Sequence, residues 1–143
     1  MKMGTLTTID RLVISTSSAI DVVTTALEGA AKAGVAASVW VVGPALEPIA
    51  FASMATATPH SRVTSKKKAQ TAASTRRPTG WMPATLAIEL PLASDGLLTN
   101  VAGGLPIKVN GAVIGGLGVA GGTVEQDAEI AIAALRHIGA DIT

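Results

Sequence analysis

A chain of 143 residues with a net charge of +1 is long enough for one domain around a single core, and it carries no bulk attraction for nucleic acid or an anionic membrane surface. Its composition, 48% hydrophobic but 2% aromatic with 15 glycines, calls for a core of Ala, Val, Ile and Leu with close backbone approaches. The absence of cysteine excludes disulfides, thiolate nucleophiles and Cys-bound metals, and no apolar run approaches the roughly 20 residues that span a bilayer.

In chain order, the first clear signal is a helix beginning at Ser18 with Asp21. Ile20, Val23, Leu27, Ala30 and Ala31 recur at helical spacing, and Gly34 is its natural stop. The continuous apolar run Ala36 to Val42 has strand length and is bounded by Gly43-Pro44. A second strand covers Glu47 to Met54, with Pro48 near its start because proline cannot donate to a sheet ladder. A helix follows, capped either by Thr58 with Pro59 in the first turn or by Ser61, and runs to about Arg77, where Pro78 stops it. Between Pro78 and Gly104 the chain is irregular, with a short helix at Ala84 to Leu90.

The next stretch is the most informative. Ile107 to Val109 and Ala112 to Val119 are β-branched, apolar strands joined by Asn110-Gly111, which tolerates positive φ at both central positions of a type I′ turn. Gly121-Gly122 breaks the second strand. Thr123 then opens a helix, its hydroxyl and the Gln126 side chain forming a capping box, while Glu125 and Asp127 place negative charge where the helix dipole favours it. Gly115-Gly116-Leu117-Gly118 lies within a strand instead of after one, so there is no dinucleotide or phosphate loop. The order αββα, irregular segment, ββα predicts an α+β fold, an antiparallel sheet with helices packed on it.

The run Gly103-Gly104-Leu105-Pro106-Ile107, the Asn110-Gly111 hairpin and Gly121-Gly122-Thr123-Val124-Glu125-Gln126-Asp127 together resemble the GlcG/HbpS family, the haem-associated domain also found at the C-terminus of PduO proteins. A second block agrees: Ser61-Arg62-Val63, Lys68-Ala69-Gln70-Thr71-Ala72-Ala73 and Arg77-Pro78-Thr79. The resemblance spans most of residues 17–139 and makes residues 1–143 one such domain, with 1–16 a variable N-terminal extension. It implies a profilin-like α/β sandwich and favours Ser61 as the helix cap. It also implies haem or another tetrapyrrole as ligand, with His60 as the axial iron ligand and basic residues on the propionates. The sequence departs from the family in the first hairpin. Gly43-Pro44-Ala45-Leu46 and Ser53-Met54-Ala55-Thr56 stand where relatives carry Asp-x-Gly-Gly and Arg-Met-Asp-Gly, so an arginine and two carboxylates are missing.

His60 is the best single candidate for chemistry. It precedes a cation-rich helix, and imidazole serves both proton transfer and iron ligation; the alternative is an exposed turn histidine. The helix after it holds Arg62, Lys66, Lys67, Lys68, Arg76 and Arg77, a cluster that can receive carboxylates or propionates. Lys66 and Lys67 read as a solvated face, whereas Lys68 and Thr71 belong to the family motif. Lys68 and Arg76, eight residues apart, are expected on nearly one face. Trp81 is placed to roof a pocket, and Trp40 reads as core. Met54 and Met82 read as gap-fillers, and His137 complements the dipole at the end of the last helix.

Three functional classes follow, the last of them a ligand-free assembly subunit. In the first, the chain binds a small or medium planar ligand, haem or a tetrapyrrole, in a catabolic or redox-related role. The pocket lies between the His60–Arg77 helix, the Gly103-Gly104 turn and the Thr123 helix start, with His60, Arg62, Lys68, Thr71, Arg76, Trp81, Gly103, Gly104 and Asp127 as its contacts. In the second, it is an enzyme acting on a small carboxylate or carbonyl compound. His60 then shuttles protons, Lys68 or Arg76 holds the carboxylate, and Glu125 or Asp127 is a second acid or base. Nucleic-acid binding is not expected, because no aromatics are interleaved with the cations. Only 15% of residues are charged, which predicts a homo-oligomer, of even order because closed two-fold interfaces are commonest. Met1 to Asp10 holds one lysine and no apolar block, so no secretory leader is expected and the cytoplasm is the expected location.

Overall fold

Strands β1 (Ser38–Val42), β2 (Pro48–Ser53), β3 (Gly104–Val109) and β4 (Ala112–Ala120) form one antiparallel sheet ordered β2-β1-β4-β3 in a computed structural model that describes Met1 and residues 3–142. Alternation decides which side chains face which layer. Val39, Val41, Leu117 and Val119 point to one face, where they meet Val22, Ala26 and Ala30 of α1 (Thr16–Lys32) and Ile130, Ala134 and Leu135 of α4 (Val124–His137). The opposite face receives α2 (Ser61–Thr75), whose Ala69 and Ala73 pack on Val42. The expected α+β arrangement, an antiparallel sheet with helices packed on it, is what forms.

The glycines of β4 explain the close seating of α2. A Cβ at Gly118 would run into the Ser65 carbonyl, one at Gly116 into the Ala69 carbonyl, and one at the facing Gly104 into the Lys68 carbonyl. The α2 backbone therefore lies directly on a glycine platform. At the far end, Asn110 and Gly111 take φ of 49° and 81°, as the type I′ hairpin requires.

Several boundaries differ from the sequence expectation. The first helix begins at Thr16, not Ser18, because the Ser15 side chain caps it by accepting from the Ser18 N–H at 3.1 Å. The first strand begins at Ser38 instead of Ala36, since the Ala37 N–H turns to the Met54 sulfur at 3.1 Å. Neither Thr58 nor Ser61 caps α2. His60 occupies the cap position without a side-chain bond, while the Ser61 hydroxyl donates to the Thr58 carbonyl at 2.6 Å and shares a hydrogen bond with Ser38 at 2.8 Å. The helix ends at Thr75, because Arg76 turns left-handed with φ 61° ahead of Pro78. The short helix α3 extends from Ala84 to Ala93, past Leu90, with Pro91 inside it and none of its residues buried. Trp40 is half-buried instead of core, its ring stacked on Phe51 of the neighbouring strand. Residues 3–13 of the N-terminal extension have no regular structure and are exposed; Ile14 is the first buried residue among those described, its N–H bonded to the Ile114 carbonyl at 2.9 Å.

Candidate functional site

Three backbone segments converge where β4 passes into α4. The Gly121-Gly122 turn ends the strand, Thr123 caps the helix through the expected capping box, and the first turns of α2 lie alongside. Ser61, Thr64 and Lys68, spaced one helical turn apart, present one edge of α2 to this junction. Together with Val101, Val124 and His60 they enclose a cleft of about 230 Å³.

Its floor is a buried ion pair. Lys68, 1% exposed, donates to Asp127 Oδ2 at 3.0 Å and to the Val119 carbonyl at 2.8 Å. Asp127, 2% exposed, uses its other oxygen to accept from the Gly122 N–H at 2.9 Å. Burial holds the Lys68 ammonium below the ordinary lysine value, and the Asp127 charge and hydrogen bond oppose that shift without cancelling it. An ammonium has three donors and two find acceptors here, so one N–H has no acceptor among the described residues. Gly103, at φ 120°, passes so close that a Cβ there would stand 2.8 Å from the Lys68 nitrogen.

His60 sits at the mouth of the cleft, exposed, and its imidazole makes no hydrogen bond among the described residues. Val101 and Val124, 42% and 41% exposed, offer an apolar shelf beside it. The arrangement can therefore ligate a metal centre or move a proton at the rim and hold an apolar group against the valines.

The structure gathers His60, Lys68 and Asp127 at this cleft, with Gly103 behind the floor, and disperses the other sequence candidates. Lys68 and Arg76 do not share a face: Lys68 points inward to Asp127, whereas Arg76 lies beyond the helical residues, beside Arg11 and the Gly111 turn. Thr71 is buried, donating to the Lys67 carbonyl and accepting from the Thr99 N–H, each at close range, so it ties the 99 segment to α2. Gly104 lies under α2, and Thr79 bonds its N–H at 2.9 Å. Trp81 packs under the Arg77 guanidinium, 4.2 Å from the ring centre, and lies outside the cleft. Arg62 borders a separate groove with Trp40 and Phe51. Glu125 is exposed in the first turn of α4, and His137 pairs with Asp21 on the surface at 3.3 Å. Val101, Val124, Thr58 and Thr64 also line the cleft and were not among the site residues expected from the sequence. The spacing Thr58, Ser61, Thr64 along one side of the helix entry was the available signal.

Comparison with known proteins agrees with this architecture. The PduOC–haem complex superposes with a TM-score of 0.85 at 27% identity, covering 91% of this chain and 98% of that one. A double mutant of Streptomyces reticuli HbpS superposes with a TM-score of 0.82 at 29% identity, covering 97% and 94%. An uncharacterised 15.0 kDa protein from the dhaT–dhaS intergenic region of Citrobacter freundii is 50% identical over 46 residues; the match spans 32% of this chain and 32% of that relative. The model of the haem-degrading, HbpS-like proteins matches residues 14–136, and the chain belongs to that family.

Proposed function

We propose that this chain is a small-ligand-binding protein whose ligand is haem or a related tetrapyrrole, seated at the His60 cleft, in a catabolic or redox-related role. The observation that carries this reading is the imidazole of His60, which has no hydrogen-bond partner among the described residues and stands beside an exposed apolar shelf. That donor set fits a haem: imidazole is an ordinary iron ligand, and Val101 and Val124 suit the macrocycle edge. A cleft of about 230 Å³ falls below the roughly 300–1,000 Å³ that envelops a drug-sized ligand, so it would take part of the ligand and leave the rest outside. When bound, haem would supply an iron centre for ligand exchange and one-electron chemistry. The chain's own part would be to ligate through His60, exclude water with the two valines, and donate from Lys68 to an oxygen at the floor. The same reading keeps the chain a homo-oligomer of even order in the cytoplasm, without a nucleic-acid partner.

Haemin titration followed in the Soret region tests the proposal. The parent should show a saturable shift that His60→Ala abolishes; an identical response in both proteins would remove His60 from the site.

The buried Lys68–Asp127 pair favours one second reading. An enzyme acting on a small carbonyl or carboxylate compound would place the substrate oxygen on the free Lys68 N–H and use His60 as the proton shuttle. There His60→Ala would still bind the compound and lose turnover, which separates the two readings.

A further inference from the structure

The chain has three large aromatic residues, and two of them lie together on the surface instead of in the core. Trp40 and Phe51 face each other across β1 and β2, their rings stacked with centroids 4.7 Å apart and planes 12° from parallel. The Trp40 indole N–H donates to the Arg62 carbonyl at 3.0 Å, which fixes that ring against the start of α2. Lys66 Nζ lies 5.2 Å from the Trp40 ring centre, and Phe51 remains 39% exposed.

This pair forms one wall of an open groove of about 710 Å³ that continues past Arg62, Lys66 and Lys67 to Leu97. Its size lies within the range of sites for drug-sized ligands. Three cations line it against a single carboxylate, that of Asp95, and Leu97, 39% exposed, adds apolar lining. No histidine or methionine borders it, and the chain has no cysteine or tyrosine, so the groove offers no customary iron ligand.

From this juxtaposition we propose a second binding site, distinct from the His60 cleft and independent of the haem reading. It takes a planar aromatic anion: the ring stacks beside Phe51 and Trp40, and its acidic substituent pairs with Arg62 and Lys66. Stacking and charge-assisted contacts act on the two ends of one ligand, so removing either end weakens binding.

The probe is 2-naphthoate, added to the full chain, with binding followed by calorimetry and by the indole N–H resonances, assigned with Trp81→Phe. The Trp40 signal should move saturably while the Trp81 signal stays. The uncharged 2-naphthamide should bind roughly tenfold more weakly, and Phe51→Ala or Lys66→Gln should weaken 2-naphthoate by a similar factor. Lys66→Arg should retain binding. Both residues are surface-exposed or half-buried, and an unchanged circular dichroism spectrum verifies that each variant folds. No movement of the Trp40 signal at millimolar 2-naphthoate, or equal binding of the amide, would overturn the proposal. So would a fall in assembly mass in Phe51→Ala without loss of a naphthoate response, which would assign the groove to a second copy of the chain.

Discussion

Lys68 sends its ammonium into a site with 1% exposure, where Asp127, the Val119 carbonyl and the Gly103 backbone surround it. Removing one partner of such a pair strands the other charge. Lys68→Met should therefore cost about 3–5 kcal/mol, and the double variant Lys68→Met with Asp127→Leu should cost less than that single change. Chemical denaturation of the three proteins checks the order. The pH dependence has a definite sign. Burial holds the Lys68 value below the usual 10.5, so between that lowered value and 10.5 the unfolded chain binds more protons than the fold. Stability from this group rises with pH across that window, by at most about 1.4 kcal/mol per pH unit. The parent should gain on the double variant as the buffer is taken alkaline through the window, and parallel curves would show that the ammonium is not strained by burial. Both residues stood out in the sequence as separate candidates. Their pairing did not, because they stand 59 positions apart in the chain and only the packing of α2 on β4 brings them together.

At the scale of elements, β4 and α2 are defined by each other. The sequence placed the glycines of β4 within a strand; in the fold they let a helix backbone rest on the sheet. Gly118→Ala should cost about 3 kcal/mol or more, since the methyl would meet the Ser65 carbonyl and stand 2.6 Å from the Ala69 nitrogen. Gly29 in α1 predicts the reverse. Its nearest non-local atom is Ile130 Cγ2 at 4.0 Å, so Gly29→Ala should stabilise by about 0.5–1 kcal/mol through helix propensity. Thermal or denaturant unfolding of both variants tests the pair, and destabilisation by both would mean that α1 and α4 pack too tightly to admit a methyl. The β3–β4 hairpin and the capping box of α4 were legible because both are local: Asn110-Gly111 and Thr123 with Gln126 form their bonds within a few residues. The start of α2 was not, because Ser38, 23 positions away, shares the Ser61 hydroxyl.

Across the whole molecule, apolar residues remain outside. Ile88 and Leu92 of α3 are 67% and 76% exposed, and Leu6 and Ile9 of the N-terminal segment are each 90% exposed. A chain with 15% charged residues has little polar surface with which to dilute them. Light scattering at micromolar concentration should accordingly give an even multiple of the 14.3 kDa chain mass. A monomer mass would reject assembly and leave these residues without a covering partner. No described helix is long and apolar enough to cross a membrane.

The order of residues was enough for what short-range chemistry controls: the apolar runs of the strands, the positive-φ hairpin, the helix cap at Thr123 and the family motif around it. It also singled out His60, Lys68 and Asp127. Packing between distant segments selected which candidates meet. It turned Lys68 inward to Asp127 and Thr71 to the Thr99 backbone, left Arg76 at the opposite end of α2, and brought Trp40 to the surface beside Phe51. The physical reason is that side-chain direction depends on helix phase and strand register. The glycine platform under α2 sets that phase, and no window of neighbouring residues contains it.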